Sequence, residues 1–197
     1  FVPSRTMPKV ILVLSGKRKS GKDYVAEVLQ RIFGMEVCVL IKLSAPLKKE
    51  YANKHDLDHQ KLLSSSSYKE KYRKDMIVWG ELKRNEDPSY FWKAATRACH
   101  KFPVWVITDA RRPSDLKVVH DSYGENGLTV TKLVRIEATE HTRSTRGWKF
   151  VCGVDDAQSE CALDSGFHWD FIIHNNGSKE NLLENMQPLI TQVSNLL

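Results

Sequence analysis

Short apolar runs alternate along this chain with longer stretches in which apolar and polar residues recur at a helical period. This alternation is typical of an α/β domain built on a parallel sheet. The apolar runs predict five strands, at Val10–Leu14, Val37–Leu43, Val104–Thr108, Thr129–Glu137 and Trp169–His174. The intervening stretches predict helices at about 21–33, 46–54, 68–86, 88–100, 113–122 and 178–196. Ser64–Ser67 is a polar segment suited to capping the helix that follows it.

The loop after the first predicted strand has the composition of a phosphate-binding loop. Residues 16–23 fit the pattern G-x-x-x-x-G-K-[ST] at seven of its eight positions, and Asp23 takes the place of the hydroxyl residue. Gly16 and Gly21 allow backbone N–H groups to surround an anion, and Lys22 would place its ammonium on the β- and γ-phosphates of a nucleotide. The alternative is a chance glycine- and lysine-rich turn, which the order of strand, loop and helix disfavours. The chain is therefore predicted to bind a nucleoside triphosphate.

Two details of this loop narrow its chemistry. Lys17, Arg18, Lys19 and Lys22 put four cations within eight residues, which is more than one triphosphate needs. Either the loop faces two anionic substrates at once, or some of these side chains are simply solvated. The carboxylate of Asp23 can bind Mg²⁺, a water on that ion, or Lys22 itself.

Composition and charge restrict the class of partner. At 197 residues and 41% hydrophobic residues, the chain can bury one sizeable core, which favours a single domain over 1–197. Its 30 Lys and Arg against 24 Asp and Glu give a net charge of +6 and favour anionic partners. The cations are scattered through mixed-charge helices, so we expect small phosphorylated substrates and no nucleic acid. No apolar stretch approaches the ~20 residues that span a membrane. The four cysteines lack zinc-site spacing, which favours reduced thiols.

The longest helical interval, at about 44–102, lies between the second and third predicted strands. On a helix from Tyr68, four positions fall within about 60° of one another. They are Lys69, Arg73, Gly80 and Arg84. Three cations beside an open position suit a phosphorylated acceptor, and a solvated basic face is the alternative. The adjacent apolar stripe of Tyr72, Met76 and Trp79 is predicted to pack into a core.

Polar and charged residues follow the second and third predicted strands. Asp109 comes directly after the third strand, the usual place for a carboxylate that binds Mg²⁺ or its water. Arg111 and Arg112 come next and can clamp phosphoryl oxygens. Ser44 and Lys48 follow the second strand. Because ligands of open α/β sheets bind at the carboxyl ends of the strands, we expect these side chains to face the nucleotide and its acceptor.

Residues 139–162, after the fourth predicted strand, are predicted to form a lid over the phosphates. An arginine-bearing polar part, Glu140–Trp148, precedes an acidic part, Gly153–Glu160. Closure of such a segment excludes water from a phosphoryl-transfer site. For Asp155 and Asp156, capping of a helix N-terminus and metal binding are both open.

Five segments taken together resemble the animal phosphomevalonate kinases: Ser15–Asp23, Tyr68–Gly80, Asp109–Arg112, Arg146–Trp148 and Gly153–Glu160. The resemblance runs from about residue 9 to about residue 190. It implies a three-layer α/β P-loop kinase fold of the nucleoside-monophosphate-kinase type, with a central parallel sheet of about five strands, a helical acceptor-binding insertion and a lid. It also implies Mg²⁺-assisted transfer of the γ-phosphoryl group of ATP to (R)-5-phosphomevalonate. The product would be (R)-5-diphosphomevalonate, on the mevalonate route to isoprenoids and sterols.

The resemblance also implies roles for individual residues. Lys22, Asp23 and Arg111 would be catalytic. The residues themselves, rather than the resemblance, make Asp23 and Asp109 the candidates for holding Mg²⁺. The ATP side would comprise Lys17, Arg18, Lys19, Ser20, Gly21, Lys22, Asp23, Arg146, Asn176 and Asn185. The phosphomevalonate side would comprise Lys48, Lys69, Arg73, Arg84, Arg111, Arg112 and Asn175. The lid arginines would be Arg143 and Arg146.

Some positions depart from the family pattern. Asn176 stands where the family has a histidine near ATP, and Asn185 stands where its last helix has a glutamine. The final residues, Asn195–Leu197, do not form a peroxisomal tripeptide of the Ser-Lys-Leu type, so we expect a cytoplasmic protein, while the resemblance leaves a peroxisomal location open. Separately, we expect a monomer. Residues 1–6 contain no Met, whereas Met7 precedes the first strand, so we expect residues 1–6 to be additional to the domain.

The residues leave two other functions open. A nucleoside or deoxynucleoside monophosphate kinase would need a pocket for the base of its acceptor. A nucleic-acid-binding P-loop module would bind polynucleotide with a steep salt dependence and would favour a continuous basic stripe. For either kinase, the attacking phosphate oxygen is already ionised at neutral pH, so we expect no general base. Catalysis would rest on positioning and on electrostatic stabilisation.

Overall fold

The computed structural model describes residues 7–63, 67–124 and 127–197. Residues 1–6, and most of the predicted capping segment at 64–67, lie outside the described residues. Five parallel strands form one sheet in the order β2-β3-β1-β4-β5. They are β1 (Val10–Ser15), β2 (Cys38–Ile41), β3 (Val104–Ile107), β4 (Val130–Glu137) and β5 (Phe171–His174). The predicted parallel α/β sheet of five strands is confirmed.

Helices fill the intervals between the strands, as the periodicity predicts. They are α1 (Lys22–Phe33), α2 (Ser44–Lys54), α3 (His59–Leu63), α4 (Ser67–Glu86), α5 (Tyr90–Thr96), α6 (Pro113–Val119), α7 (Glu140–Thr145), α8 (Gln158–Cys161) and α9 (Lys179–Ser194). A wide helical turn at His120–Gly124 continues α6. The sequence did not predict α3, α7 and α8, because helices of four to six residues are too short to show a period. Among the described residues, no helix has the length and hydrophobicity to cross a membrane.

The central strand β1 is buried on both faces. Val10, Leu12 and Leu14 pack in one apolar cluster with the buried faces of α1 and α9. Ile11 and Val13 point to the opposite face, because side chains alternate along a strand, and they are also fully buried. This explains why β1 reads as a continuous apolar run: a strand in the middle layer of a three-layer fold has no solvent face.

The chain forms two compact units. The first contains the whole sheet and comprises the chain up to Ile41 together with Cys99–Leu197. The second, Lys42–Ala98, contains α2 to α5 and is called the helical unit below. It overlaps the helical interval predicted at about 44–102, and its role in acceptor binding stays a prediction.

The helical unit has an apolar cluster of its own. Its buried members are Tyr51, Ala52, Leu62 and Met76. Tyr72 and Trp79 pack against this cluster. The prediction that the stripe on α4 packs inward is therefore confirmed, and α4 presents its cationic positions beside this stripe.

The carboxyl ends of the parallel strands lie along one edge of the sheet. Ser15 at the end of β1 pairs with Arg135 on β4, and Glu137 at the end of β4 pairs with His174 on β5. Four segments therefore leave the same edge: the phosphate loop after β1, the arginine pair after β3, the lid after β4, and Asn175 after β5. This edge is where open α/β sheets bind ligands.

Candidate active site

The phosphate loop, residues 16–23, closes around the side chain of Lys22. Its Nζ donates hydrogen bonds to the carbonyl oxygens of Gly16 and, at 3.1 Å, of Lys17. Helix α1 begins at Lys22 with Gly21 as its N-cap and has no side-chain cap. A helix N-terminus without a side-chain cap presents its first N–H groups to an anion. The loop thus combines a central ammonium with the positive end of a helix.

The electrostatics of Lys22 are unusual for a lysine. Its pKa is lowered from 10.5 to about 7. Burial is the largest cause, because it removes water from the ammonium, and the guanidinium of Arg111 is the next. Asp23 and Asp109 partly offset both effects by raising this pKa. A buried cation of this kind is stabilised by a nearby anion, so the electrostatic environment of the loop favours phosphate binding.

Two glycines of the loop are required by close approaches. A Cβ at Gly16 would lie 2.3 Å from the carbonyl oxygen of Ile136 on β4. A Cβ at Gly21 would lie 2.2 Å from Nδ2 of Asn175. Both glycines also have positive φ, 149° and 96°, which residues with a Cβ rarely adopt. The loop conformation therefore depends on glycine at both positions.

Arg146 and Asn175 bind the backbone of the phosphate loop. Asn175 Nδ2 donates to the carbonyl oxygen of Ser20 at 2.8 Å, and Arg146 Nη1 donates to the same oxygen at 3.2 Å. Arg146 Nη2 donates to the Asn175 carbonyl oxygen at 2.8 Å and to its Oδ1 at 3.2 Å. The structure thus brings together a residue predicted for the ATP side and one predicted for the acceptor side, both at one loop carbonyl.

A cavity of about 260 Å³ adjoins the start of α1. Gly21 and Tyr24 line it from the loop and α1, and Arg146 lines it from the end of α7. The connection between β5 and α9 contributes further lining residues, including Gly177 and Lys179. This volume lies just below the range of about 300–1,000 Å³ that is usual for small-molecule pockets. The cavity lies next to the phosphate loop.

Lys17 of the loop binds the end of the predicted lid and a residue just beyond it. We call Asp155–Asp164, which contains α8, the acidic segment. Lys17 Nζ donates to the carbonyl oxygen of Glu160 at 3.0 Å, to Cys161 Sγ at 3.3 Å and to Asp164 Oδ2 at 2.5 Å. The ammonium therefore has three protein acceptors in this segment.

Arg18 binds the other end of the acidic segment. Its Nη1 donates to Asp155 Oδ2 at 2.7 Å, and the same carboxylate accepts from Trp148 Nε1 and from the Val151 N–H. Helix α8 has Ala157 as its N-cap, so the capping alternative is wrong for Asp155. It is also wrong for Asp156, whose carboxylate accepts from the Gly153 N–H within the loop. Lys19, by contrast, is exposed.

The arginine pair after β3 is held by two carboxylates. Arg111 forms an ion pair with Glu160 of the acidic segment. The backbone N–H groups of Arg111 and Arg112 donate to Asp115 Oδ2 at 3.0 and 3.1 Å. Asp115 lies in the first turn of α6, for which Arg112 is the N-cap. The start of α6 thus fixes the backbone from which both guanidinium groups extend.

The first part of the lid is a short, capped helix. Thr139 Oγ1 accepts from the Thr142 N–H and caps α7. The guanidinium carbon of Arg143 lies 4.1 Å from the ring centroid of Trp148, and Arg143 is buried. Arg146, the C-cap residue, is the lid arginine that reaches the phosphate loop. The two predicted lid arginines thus have different surroundings.

Asn176 and Asn185, the positions that depart from the family pattern, both bind backbone groups. Asn176 Oδ1 accepts from the N–H of Thr139 at 2.8 Å, at the start of α7. Asn185 Nδ2 donates to the carbonyl oxygen of His174 at 2.8 Å, at the end of β5. Their predicted contacts with ATP stay predictions.

In the helical unit, Arg84 is buried. Its guanidinium carbon lies 4.7 Å from the ring centroid of Phe91, and its Nη1 lies 3.4 Å from the Gly80 carbonyl oxygen. A Cβ at Gly80 would lie 3.2 Å from this Nη1 and 2.5 Å from Leu47 Cδ1. Glycine at this position therefore leaves the space that the guanidinium and Leu47 occupy.

The other cations predicted for the acceptor lie on α2 and α4. Arg73 binds Glu70 on its own helix through two hydrogen bonds of 2.7 and 2.5 Å. Lys48 lies on α2 and Lys69 on the first turns of α4, and both are partly buried. The structure thus gives Arg73 a carboxylate partner on its own helix, which agrees with the alternative of a solvated basic face.

Sequence reasoning missed two charged residues of this site, Arg135 and Asp164. Arg135 Nη1 donates to Ser15 Oγ at 3.1 Å, and its Nη2 donates to Asp164 Oδ1 at 2.7 Å. Arg135 is 9% exposed and contributes to the lowered pKa of Lys22. The available signal was that Arg135 stands between the apolar residues Val134 and Ile136 near the end of β4.

Within residues 7–63, 67–124 and 127–197, no three or more His, Cys, Asp and Glu side chains are grouped to hold a metal ion. Two carboxylates nevertheless act on the loop ammonium, since Asp23 and Asp109 both raise the pKa of Lys22. In phosphoryl-transfer sites, Mg²⁺ is usually bound by one or two carboxylates and takes its other ligands from phosphates and water. Asp23 and Asp109 fit an ion of this kind.

A phosphate loop with a buried lysine, at the carboxyl edge of a parallel sheet and beside an arginine-bearing lid, defines a P-loop kinase. A family model described as phosphomevalonate kinase matches residues 14–125. A phosphomevalonate kinase of Drosophila melanogaster is 42% identical over 161 residues, which cover 80% of this chain and 82% of that protein. The chain therefore belongs to the phosphomevalonate kinase family and is an enzyme, as the motif resemblance implied.

A solved structure shares the fold. The crystal structure of TT1252 from Thermus thermophilus superposes with a TM-score of 0.50 at 14% identity, and covers 95% of this chain and 99% of that one. At this identity the similarity concerns the fold alone.

Proposed function

We propose that this chain transfers the γ-phosphoryl group of ATP to the phosphate of (R)-5-phosphomevalonate and so forms (R)-5-diphosphomevalonate. Membership of the phosphomevalonate kinase family supports the substrate pair. The observation that carries the chemistry is Lys22, whose ammonium lies inside the phosphate loop with its pKa lowered by burial and by Arg111. An ammonium in this state is stabilised most by the phosphates of a bound nucleotide.

On the ATP side, the phosphate loop would bind the β- and γ-phosphates through its backbone N–H groups and Lys22. The cavity beside Gly21, Tyr24 and Arg146 supports binding of the adenosine part next to the loop. Arg146 would then contact the nucleotide while it keeps the Ser20 carbonyl in place. In this assignment Asn175 acts through the loop, since its amide binds Ser20 and Arg146.

On the acceptor side, the proposal concerns cations in each unit. In the helical unit, Arg84 has the strongest support, because its guanidinium is buried and Gly80 leaves space beside it. Lys48, Lys69 and Arg73 would add positive charge for the same anion. After β3, Arg111 and Arg112 would bind phosphoryl oxygens, since α6 holds their backbone through Asp115.

The reaction needs positioning more than proton transfer. The attacking oxygen of a phosphate monoester is already ionised at neutral pH, so no residue has to remove a proton from it. Two anions repel each other, and cations must hold them in line for direct transfer. Lys22 and Arg111 would stabilise the charge that spreads over the transferring group.

Mg²⁺ is proposed to enter with the nucleotide, held by Asp23 and Asp109. When bound, Mg²⁺ would neutralise charge on the phosphate oxygens. The two carboxylates are the groups whose negative charges raise the pKa of Lys22. They would orient the ion, and they limit how far burial and Arg111 lower the pKa of this lysine.

Replacement of Asp23 by Asn is expected to raise the Mg²⁺ concentration for half-maximal rate by about tenfold, because a neutral amide oxygen is a weaker ligand for a hard cation. Titration of the rate with Mg²⁺ at saturating ATP would measure this change. Asp121→Asn, which removes an exposed carboxylate paired with Lys117, is the matched control and should leave the titration unchanged. An unchanged titration for Asp23→Asn would remove Asp23 from the metal assignment.

Nucleotide binding is expected to take up a proton at pH 8. The pKa of Lys22 is lowered to about 7 in the free protein, so this lysine is mostly neutral at pH 8. Bound phosphates favour its charged form and raise its pKa, so ADP binding should protonate it and should weaken as pH rises above 7. Calorimetry of ADP binding at pH 8, in two buffers with different ionisation enthalpies, would measure this proton uptake.

Lys22→Met is the control for this linkage, because it lacks the titrating group. Any uptake that remains in this variant comes from other groups and is subtracted. A wild-type protein that binds ADP at pH 8 without proton uptake would contradict the proposed state of Lys22.

The free cysteines support a reducing compartment. Cys38, Cys99, Cys152 and Cys161 are free thiols, which is usual in the cytoplasm and rare in secreted proteins. We therefore keep the assignment of a cytoplasmic enzyme. It would act as a monomer on a small molecule, and light scattering at assay concentration would test the monomer.

The substrate is tested by an ADP-release assay with phosphomevalonate, mevalonate, CMP, UMP and dTMP side by side. Rapid turnover of phosphomevalonate alone is the expected result. Faster turnover of a nucleoside monophosphate would replace the proposed acceptor. Binding of polynucleotide with a steep salt dependence, and no turnover of any acceptor, would favour a nucleic-acid-binding module.

A further inference from the structure

The phosphate loop has more cations than one triphosphate needs, and two of them bind carboxylates of the protein. Arg18 binds Asp155 at 2.7 Å. An ammonium has three N–H donors, and Lys17 has three acceptors in the acidic segment, namely Glu160 O, Cys161 Sγ and Asp164 Oδ2. The excess of cations therefore has an explanation inside the protein.

Asp164 connects this contact to the edge of the sheet. Its Oδ2 accepts from Lys17, and its Oδ1 accepts from Arg135 Nη2 at 2.7 Å. Arg135 in turn donates to Ser15 Oγ, on the last residue of β1 before the loop. One carboxylate thus joins two cations that flank the start of the phosphate loop.

Glu160 connects the same contact to the arginine pair after β3. Its carbonyl oxygen accepts from Lys17, and its carboxylate pairs with Arg111. The orientation of Arg111 therefore depends on where the acidic segment lies. Lys17 and Asp164 provide one direct polar contact between that segment and the loop, and Arg18 and Asp155 provide another.

We propose that Lys17 and Asp164 are positioning residues, which dock the acidic segment on the phosphate loop and so orient Arg111 through Glu160. In this assignment Lys17 does not bind the phosphates of ATP, although the resemblance to the family places it there. The proposal deepens the proposed function and rests on it, since Arg111 is assigned to the transferring phosphoryl group.

The first test is a double-mutant cycle of Lys17→Met and Asp164→Asn, read as kcat and as ADP affinity. Each single variant is expected to lower kcat by about three- to tenfold. The effect is modest because these side chains are 28% and 36% exposed and exposed ion pairs contribute little. The double variant should be less impaired than the product of the two single effects, because both single variants lose the contact between Lys17 and Asp164. The remaining contacts of Lys17 with Glu160 and Cys161, and of Asp164 with Arg135, are lost separately. ADP affinity should change less than threefold, about the loss of a weak exposed contact.

The second test measures how closely the acidic segment contacts the loop, and it needs no substrate. Cys161 Sγ contacts Lys17 Nζ and the Asp155 carbonyl oxygen, each at 3.3 Å, whereas Cys152 is exposed. The rate at which a thiol reagent labels Cys161, followed by peptide mapping, should rise about tenfold in Lys17→Met. It should rise by a smaller factor in Asp164→Asn, because that variant keeps the contact between Lys17 and Cys161. Asp164→Glu, which keeps the charge, should restore most of both kcat and protection.

Asp156→Asn is the matched control. Its carboxylate lies in the same segment but binds the Gly153 N–H and Cys152 rather than the loop. It should leave kcat, ADP affinity and Cys161 labelling unchanged, and its effects should add to those of Lys17→Met. Thermal unfolding of each variant separates loss of docking from loss of the fold.

Two results would overturn the proposal. If Lys17 binds ATP directly, Lys17→Met weakens ADP by tenfold or more, Asp164→Asn strengthens it by removing a competing carboxylate, and Cys161 labelling stays unchanged. If the two single effects multiply in the double variant, the residues do not act as a pair. Labelling and ADP binding involve no acceptor, so they stay informative even if the wild-type protein fails to phosphorylate phosphomevalonate.

Discussion

Replacement of Lys22 by Met is expected to lower kcat by on the order of 10³ or more while the protein stays folded. Its ammonium lies inside the phosphate loop, where it donates to the carbonyl oxygens of Gly16 and Lys17. Bound phosphates would replace these carbonyl oxygens as partners of the ammonium. The bridging oxygen gains negative charge as the γ-phosphoryl group leaves, and the ammonium would stabilise that charge. Methionine fills a similar volume but offers no charge at that point.

Steady-state kinetics of the purified variant, with saturating ATP and phosphomevalonate, would measure this effect. The lowered pKa of Lys22 means that burial disfavours its charged form. Removal of that charge therefore costs little stability, and the melting temperature should stay near the wild-type value. Lys101→Met, at an exposed lysine, is the matched control for loss of one charge. Turnover within tenfold of the wild-type rate would exclude the assignment of the phosphate loop.

Replacement of Arg84 by Ala is expected to raise the KM for phosphomevalonate by about ten- to a hundredfold while it changes the KM for ATP far less. A charge-assisted hydrogen bond contributes roughly 1.5–3 kcal/mol, which corresponds to that range in affinity. Arg84 is the buried cation of α4, held against Phe91 and beside Gly80. A pre-oriented guanidinium loses little entropy when it binds an anion.

Controls on the same helix separate recognition from packing. Lys83→Ala removes an exposed cation that pairs with Glu86, and it should leave both KM values unchanged. Arg84→Lys should restore the KM only in part, because an ammonium lacks the two-pronged geometry of the guanidinium. Arg112→Ala should resemble Arg84→Ala, whereas Arg146→Ala should mainly raise the KM for ATP. A larger effect of Arg84→Ala on ATP would place α4 on the nucleotide side of the reaction.

The regular elements could be predicted because each depends on local pattern. The run Val10–Leu14 is continuous because β1 is covered on both faces, and Gly16 and Gly21 occupy positions where a Cβ would meet backbone or side-chain atoms. The stripe of Tyr72, Met76 and Trp79 packs as its spacing predicts. The helices of four to six residues could not be predicted, because so few residues do not show a helical period.

The phosphate loop, and with it the kinase class, was readable from the sequence because all of its functional groups lie within residues 16–23 of the chain. The order of strand, loop and helix supplies the geometry that an anion needs. The arginine pair after β3 was readable for a similar reason, since strand ends of a parallel sheet meet at one edge. Local spacing therefore determined which residues are candidates for binding phosphate.

Only the tertiary structure decided which partner each cation has. Asp155, Glu160 and Asp164 lie more than a hundred residues from Lys17 and Arg18 along the chain, and no local pattern relates them. Opposite charges interact through space and not along the chain. The sequence therefore shows which cations are present but not which carboxylate each of them binds. The lowered pKa of Lys22 has the same origin, because burial and the neighbouring Arg111 act only once the chain has folded.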